Sequence, residues 1–494
     1  MIDKKTIRRI ITASSLGTVI EWYDFYIFGS LAPIIATQFF PKENPTAAFL
    51  ATLAAFGVGF VIRPFGALIF GRLGDLMGRK YTFLLTLILM GFSTFAIGLI
   101  PSYESIGIAA PIIVFLLRAI QGLALGGEYG GAAIYVAEHA PEGKKGFYTS
   151  FIQTTATFGL LLSLAVILVC KYLVPEGEFE EWGWRIPFLV SIILVIVSYF
   201  IRTRMEESPI FQQMKKAGKI SKNPLRESFT KWRNLKLVLI ALFGAAAGQG
   251  VIWYTGQFYA MNFSIKTLHI EESQVQFLLI PVLLLATPFF IVFAKLSDRI
   301  GRKKVMLTGM ALAVCCYFPI YKQMSALADW KSWEHNPENY HVQTTSKLNK
   351  KNGLVEVINR TAYLNGCKRV EIISLETQKN EKNSVTLKQQ IHLDISKLIY
   401  LGFLIFMQLI FVCMVYGPIA AFLVELFPPE IRYTSLSLPY HIGNGIFGGL
   451  TPLIAELLVL KFNDPLAGIW YPVIIGALTL IVGLIFIREK EKVA

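Results

Sequence analysis

Five ionisable side chains stand inside long apolar runs of this 494-residue chain: Glu21, Asp24, Arg63, Arg118 and Glu128. A charge at the centre of a bilayer costs roughly 2.5–3.5 kcal/mol on insertion scales, so one kept there needs a partner or a task. Glu21 and Asp24 lie three apart, on one face of a helix, and Arg118 and Glu128 lie ten apart on another. A carboxylate in a low-dielectric cavity takes up a proton more readily, whereas a neighbouring arginine opposes that. The two effects compete. An anionic ligand that occupies the arginine frees the carboxylate to take a proton, so solute and proton move under one charge balance. Glu21, Asp24 and Glu128 are therefore candidates for proton coupling, and Arg63 and Arg118 for substrate binding. The structural alternatives are a permanent pairing of Glu21 and Asp24 with Arg63, an Arg118 that serves backbone carbonyls, and a Glu128 that bonds at a close crossing made by Gly126, Gly127, Gly130 and Gly131.

Aromatic residues accompany these charges. GQGVIWYTGQFYAMNF (248–263) offers Trp253, Tyr254 and Gln257 as pocket lining well inside an apolar run, against the alternative of an interfacial belt. Trp22, Tyr23 and Tyr26 beside the first acids form the kind of aromatic surface that holds a quaternary ammonium by cation–π attraction. Tyr26 joins the candidate substrate contacts. His441, Asn444 and Glu456 are ambiguous, since a lone polar residue at a helix contact is more often a joint between helices than a ligand, and they are left out of the candidate site.

The elements that position these groups follow from composition. The chain is 54% hydrophobic and 16% charged, too apolar for water. Twelve apolar stretches can be marked between residues 12 and 487, most of them near or above the roughly 20 residues a helix needs to cross a bilayer. Helices are implied because lipid satisfies no open backbone. The net charge of +14 does not indicate nucleic acid, since Lys and Arg cluster beside the apolar stretches, notably at Lys4, Lys5, Arg8 and Arg9 and from Arg202 to Lys236. By the positive-inside rule both termini and that linker face the cytosol. No cleavable signal peptide is apparent, and the five cysteines form neither a disulfide framework nor a metal motif. No metal or cofactor is expected; the partners are the bilayer, protons and a small-molecule substrate, with the chain acting as a monomer.

One charged decapeptide occurs twice: GRLGDLMGRK (71–80) and AKLSDRIGRK (294–303). Six stretches separate the copies, an even number, so both lie on one membrane face and a whole six-helix unit repeats. The expected division is an N-terminal bundle 1–202, a cytosolic linker 203–235 and a C-terminal bundle 236–494. Asp75, Arg79, Asp298 and Arg302 are candidate gate residues, the acid accepting from a neighbouring helix N-terminus or an arginine. Ala294 and Ser297 replace two glycines in the second copy, which predicts looser packing there.

With this decapeptide, RAIQGLALGGE (118–128) resembles the major facilitator superfamily. VIEWYDFYIFGS (19–30), GFVIRPFGALIFGRLGD (59–75) and RYTSLSLPYHIGNGIFGGLTP (432–452) are similar to its metabolite:proton symporter family. The resemblance implies an all-α membrane fold of two six-helix bundles, alternating access, a bacterial inner membrane, and a solute such as 2-oxoglutarate, citrate, shikimate, or proline or betaine. It spans nearly the whole chain except about 325–395. That insertion, on the face opposite the decapeptides, alternates apolar and polar residues at LVEVI (354–358), RVEIISLET (369–377) and VTLKQQIHLDI (385–395), the period of strands. The expected function is proton-coupled uptake of a small organic anion, with a zwitterion such as betaine, or a transport-silent sensor, as the alternatives. No Walker A loop, HExxH or GxSxG supports an enzyme.

Overall fold

The computed structural model describes residues 4–41, 43–175, 177–203, 205–334, 340–348, 355–376 and 384–488. Helix α1 (Lys4–Ser30) bends by 64° into Ala32–Phe39, where Pro33 enters the first turn of the second piece. Eleven further helices among the described residues are long and apolar enough to span a membrane: α2 (Ala47–Met77), α3 (Arg79–Leu99), α4 (Ala109–His139), α5 (Lys145–Leu173), α6 (Arg185–Thr203), α7 (Trp232–Thr267), α8 (Glu272–Ile300), α9 (Arg302–Leu327), α10 (Ile395–Leu426), α11 (Arg432–Phe462) and α12 (Ala467–Phe486). Their outward residues, including Leu50, Phe65, Phe92, Leu168, Phe277 and Leu460, are large and apolar, as lipid-facing surface must be.

Several spans carry irregular backbone. In α2 the helix restarts at Arg63 ahead of Pro64, so the arginine begins a new segment. Helix α7 carries π-helical turns at Leu242–Ala246, Thr255–Tyr259 and Phe263–Thr267, and α11 carries one at Ile442–Gly448. Between α6 and α7 run two short helices, Pro209–Lys216 and Pro224–Thr230, capped by Ser208 and Asn223. The two halves meet chiefly where α2 packs on α11 and α5 on α8.

Between α9 and α10 four strands, β1 (Tyr340–Leu348), β2 (Val355–Tyr363), β3 (Lys368–Glu376) and β4 (Ser384–His392), form an antiparallel sheet in sequential order. The three alternating runs fall on β2, β3 and β4, although Leu354 and Thr377 lie outside the described residues. Strand β1 (YHVQTTSKL) was not anticipated, because its run of polar residues hides the alternation. The sheet is tied to the α7–α8 loop. Ile391 N–H donates to the His269 carbonyl (2.7 Å) and Glu271 N–H to the Ile391 carbonyl (2.9 Å). Buried Arg369 packs over the Trp330 ring at 3.8 Å and pairs with Glu334 at 3.2 Å.

Candidate functional site

A cavity of about 560 Å³, counted to its open mouth, lies between the halves. Helices α1, α2 and α4 supply Glu21, Trp22, Arg63, Glu128 and Tyr129 to its wall; α7, α10 and α11 supply Trp253, Tyr254, Tyr416, Tyr440, His441 and Asn444. Of the predicted residues it gathers Glu21, Glu128, Arg63, Trp253 and Tyr254. Asp24, Arg118, Tyr26 and Gln257 lie outside this lining, Tyr26 stacked on Trp22 at 5.4 Å.

The acids do not pair with Arg63. Arg202, which the linker's charge pattern had grouped with solvated cations, is 1% exposed at the end of α6. One of its terminal nitrogens donates to Glu21 Oε1 at 2.8 Å and to Glu128 Oε1 at 2.7 Å, and the other reaches the Phe83 carbonyl at 2.7 Å. The Thr86 hydroxyl donates to the second oxygen of Glu128 (2.7 Å), while Glu21 Oε2 is buried without a hydrogen bond. One guanidinium thus serves two carboxyl groups. The signal was present in the sequence: Ser191, Val195, Ser198 and Arg202 recur at helical spacing and form the buried face of α6.

Arg63 is clasped between the rings of Phe60 (4.2 Å) and Phe25 (4.7 Å), and its Nε and one terminal nitrogen are buried without acceptors. Cation–π contacts hold such a guanidinium in place and leave its donors free. Both oxygens of Asp24 are likewise buried without hydrogen bonds. Arg118 donates to Gln121 at 2.7 Å and sits over Phe28 at 4.4 Å, and Gln121 in turn donates to Thr94. In the C-terminal half, Asn444 and Gln249 exchange amide hydrogen bonds (2.9 and 3.1 Å), so Asn444 joins two helices. His441 is different. Its Nε2 is buried without a hydrogen-bond partner among the described residues.

Across the halves, the Tyr129 and Tyr440 rings stack at 3.6 Å with a 2° interplanar angle, and the Tyr416 and Tyr440 hydroxyls are 2.9 Å apart. The decapeptides lie at one end of this seam. Asp75 accepts from the backbone N–H of Thr434 (2.9 Å) and Tyr433 (3.2 Å) at the start of α11, and Arg79 donates to the carbonyls of Gly74 (2.7 Å) and Pro429 (3.0 Å). The second copy does the same in reverse. Asp298 accepts from Phe147 (2.7 Å) and Gly146 (2.9 Å) at the start of α5, while Arg302 pairs with Asp298 (2.6 Å) and Glu425 (3.2 Å). Each half therefore caps a helix of the other, carboxylate against the positive helix end, and the seam is latched at the decapeptide face. Arg432 to Glu138 (2.7 Å) adds a third cross-seam pair.

The expected looser packing of the second copy is offset by its partner. A Cβ on Gly74 would stand 2.0 Å from the Tyr433 ring; in the second latch the required glycine is Gly146 on α5, where a Cβ would stand 2.6 Å from the Ala294 carbonyl.

A family model described as sugar (and other) transporter matches residues 10–336. The chain belongs to that family. The proline/betaine transporter of Salmonella typhimurium (strain LT2) is 30% identical over 98% of this chain and 84% of its own length. The shikimate transporter of Escherichia coli (strain K12) is 39% identical over 65% of this chain and 73% of its own. Among solved structures, the major facilitator proton:xylose symporter XylE bound to 6-bromo-6-deoxy-D-glucose superposes with a TM-score of 0.70 at 16% identity, covering 99% of this chain and 97% of that one, a likeness of fold. The expected major facilitator fold, with its small β insertion, is the fold observed. This member of the sugar (and other) transporter family is a multi-pass membrane protein and a secondary transporter, not an enzyme.

Proposed function

We propose that this transporter couples protons to the movement of a small zwitterion, an amino-acid or betaine-like solute. The observation that carries the reading is Arg63, a buried guanidinium with free donors in a cavity whose wall also carries the rings of Trp22, Trp253, Tyr254 and Tyr416. Arg63 takes the carboxylate, and Trp22, Trp253 and Tyr254 face the ammonium. A dicarboxylate would call for a second free cation in the wall, and Arg118 is outside it. Likeness to a proline/betaine transporter supports the same choice, so the zwitterion is preferred over the organic anion expected first. Likeness to a shikimate transporter keeps a monocarboxylate as the second reading.

Proton coupling rests on the acids. Glu21 and Glu128 share one arginine, so a single guanidinium charge balances only one of two carboxylates, and Asp24 has no ion pair or hydrogen bond among the described residues. A carboxyl without a counter-charge in a low dielectric carries a proton most readily. Transport then consists of rocking of the halves 1–202 and 236–494 about the linker 203–235, with Asp75, Arg79, Asp298 and Arg302 as the gate at the cytosolic face of the inner membrane.

The test is uptake into proteoliposomes under an imposed pH gradient, with labelled proline and betaine competed by shikimate and 2-oxoglutarate. Arg63→Ala should lose binding, and Asp24→Asn should keep binding with an altered pH dependence. Competition by the acids alone, with neither zwitterion taken up, overturns the proposal.

A further inference from the structure

We infer that Phe25 restricts this transporter to solutes with a single carboxylate, by walling off a second guanidinium, that of Arg118, from the cavity. The inference rests on the assignment of Arg63 to the solute carboxylate and names the residue that limits the count to one. Two arginines of the N-terminal half share the Phe25 ring: Arg63 on α2 lies 4.7 Å from its centroid and Arg118 on α4 lies 5.0 Å from it. Of these two, Arg63 lines the cavity and Arg118 does not. Phe25 is 2% exposed and Arg118 0%. The rings of Phe28 (4.4 Å) and Phe56 (5.1 Å) complete the enclosure of Arg118, and Phe25 packs on Phe56 with centroids 4.8 Å apart.

Arg118 is chemically suited to an anion. It forms no ion pair among the described residues; one terminal nitrogen donates to Gln121 at 2.7 Å, the other reaches the Phe56 carbonyl at 3.5 Å, and Nε is buried without an acceptor. Ring faces rather than a counter-ion therefore offset its charge. A guanidinium kept inside the membrane with a spare donor would pair with any carboxylate that reached it. Phe25 denies that approach, since an aromatic ring leaves no path for a carboxylate and offers it no hydrogen bond. A dicarboxylate held by Arg63 must then bury its second charge in the aromatic wall without a cation, at a high desolvation cost. A solute with one carboxylate meets no such penalty. Selectivity thus comes from a cation that is present but screened, and the screen is a single side chain.

L-proline and L-trans-pyrrolidine-2,4-dicarboxylate differ by one carboxylate on the same ring, and their binding to the purified transporter tests the screen. Wild type should bind proline more tightly by about tenfold or more. In Phe25→Ala that ratio should fall by about tenfold or more as Arg118 becomes reachable, and adding Arg118→Leu should return it to the wild-type value. Both ligands carry the carboxylate that Arg63 holds, so any loosening of Arg63 by loss of the ring cancels in the ratio, and residual proline binding reports a folded cavity. Phe25→Leu, which keeps more of the core filled, should show the same change to a smaller extent. The inference is overturned if wild type binds the two compounds equally, if neither Phe25 variant changes the ratio, or if the change survives Arg118→Leu. Loss of both ligands in both variants would show that Phe25 holds Arg63 rather than screens Arg118, and overturns it too. If wild type binds neither compound, or if Arg63→Ala leaves proline binding intact, the reading above has failed and takes this inference with it.

Discussion

Replacing Asp75 with Asn keeps the shape of the first latch and removes its charge. Asp75 is 1% exposed, and its two oxygens take the Thr434 and Tyr433 N–H groups at 2.9 and 3.2 Å, with Arg79 3.3 Å away. An amide has one oxygen, so one N–H of α11 loses its acceptor and meets an NH2 group. Hydrogen bonds to charged groups contribute about 1.5–3 kcal/mol against about 1 for neutral ones, and an unsatisfied buried donor costs about 1–3 kcal/mol. Because the side chain can turn and the seam can open, only part of that sum is realised; about 2–3 kcal/mol is expected, a shift of roughly 30- to 150-fold toward the unlatched state. The assay is a reporter cysteine at Thr18 on the cavity wall, in a background with the five native cysteines replaced. Labelling by a membrane-impermeant maleimide applied from the decapeptide face should accelerate by that factor. Asp298→Asn should accelerate it less, since Arg302 and Asp298 are partly open to water where Arg79 and Asp75 are fully buried. A labelling rate within about threefold of wild type in Asp75→Asn would refute the assignment of Asp75 as a latch.

Arg202→Leu removes the cation shared by Glu21 and Glu128 and leaves two buried carboxyls facing each other. Breaking a buried pair in this way costs about 3–5 kcal/mol, so the melting temperature in detergent should fall clearly, and Glu21→Gln in the same chain should recover part of the loss. An unchanged melt would show that the triad is not a structural tie. Outside the membrane, Glu271 is held below the usual carboxylate range by the Ser273 hydroxyl and then by His392, at 2.6 and 2.7 Å. A depressed carboxylate stabilises the docked sheet at neutral pH, and that contribution is lost as the pH falls through the lowered value. The effect is small because water reaches the pair. Exchange of the Ile391 amide, corrected for intrinsic rate, should lose protection in acid, and Glu271→Gln should show reduced protection already at neutral pH; identical protection in the two proteins across the range refutes the link.

Much of this architecture was legible in one dimension. Apolar length and the placement of Lys and Arg determined the twelve spans, because the bilayer imposes its thickness on every helix and tolerates no open backbone. The duplicated decapeptide determined the six-helix repeat, and period-2 alternation determined three of four strands. Cost alone singled out Glu21, Asp24, Arg63 and Glu128, since a charge inside lipid is expensive wherever it points. That same cost was read the wrong way at Arg202. The residue stands at the end of an apolar stretch as the first of ten Lys and Arg residues between 202 and 236, and only its phase on α6, shared with Ser191 and Ser198, indicates an inward side chain.

Partnerships were decided by the tertiary structure alone. Helix packing brings the end of α6 under α1 and α4, so Arg202 rather than Arg63 meets the acids, and Arg63 is left between two phenylalanines. The glycine that one latch keeps on its decapeptide is found on the opposing helix in the other, because close approach needs one small partner and is indifferent to which side supplies it. A sequence states which groups are costly to bury; which of them remain unpaired, and so available to a solute, depends on distances that exist only after folding.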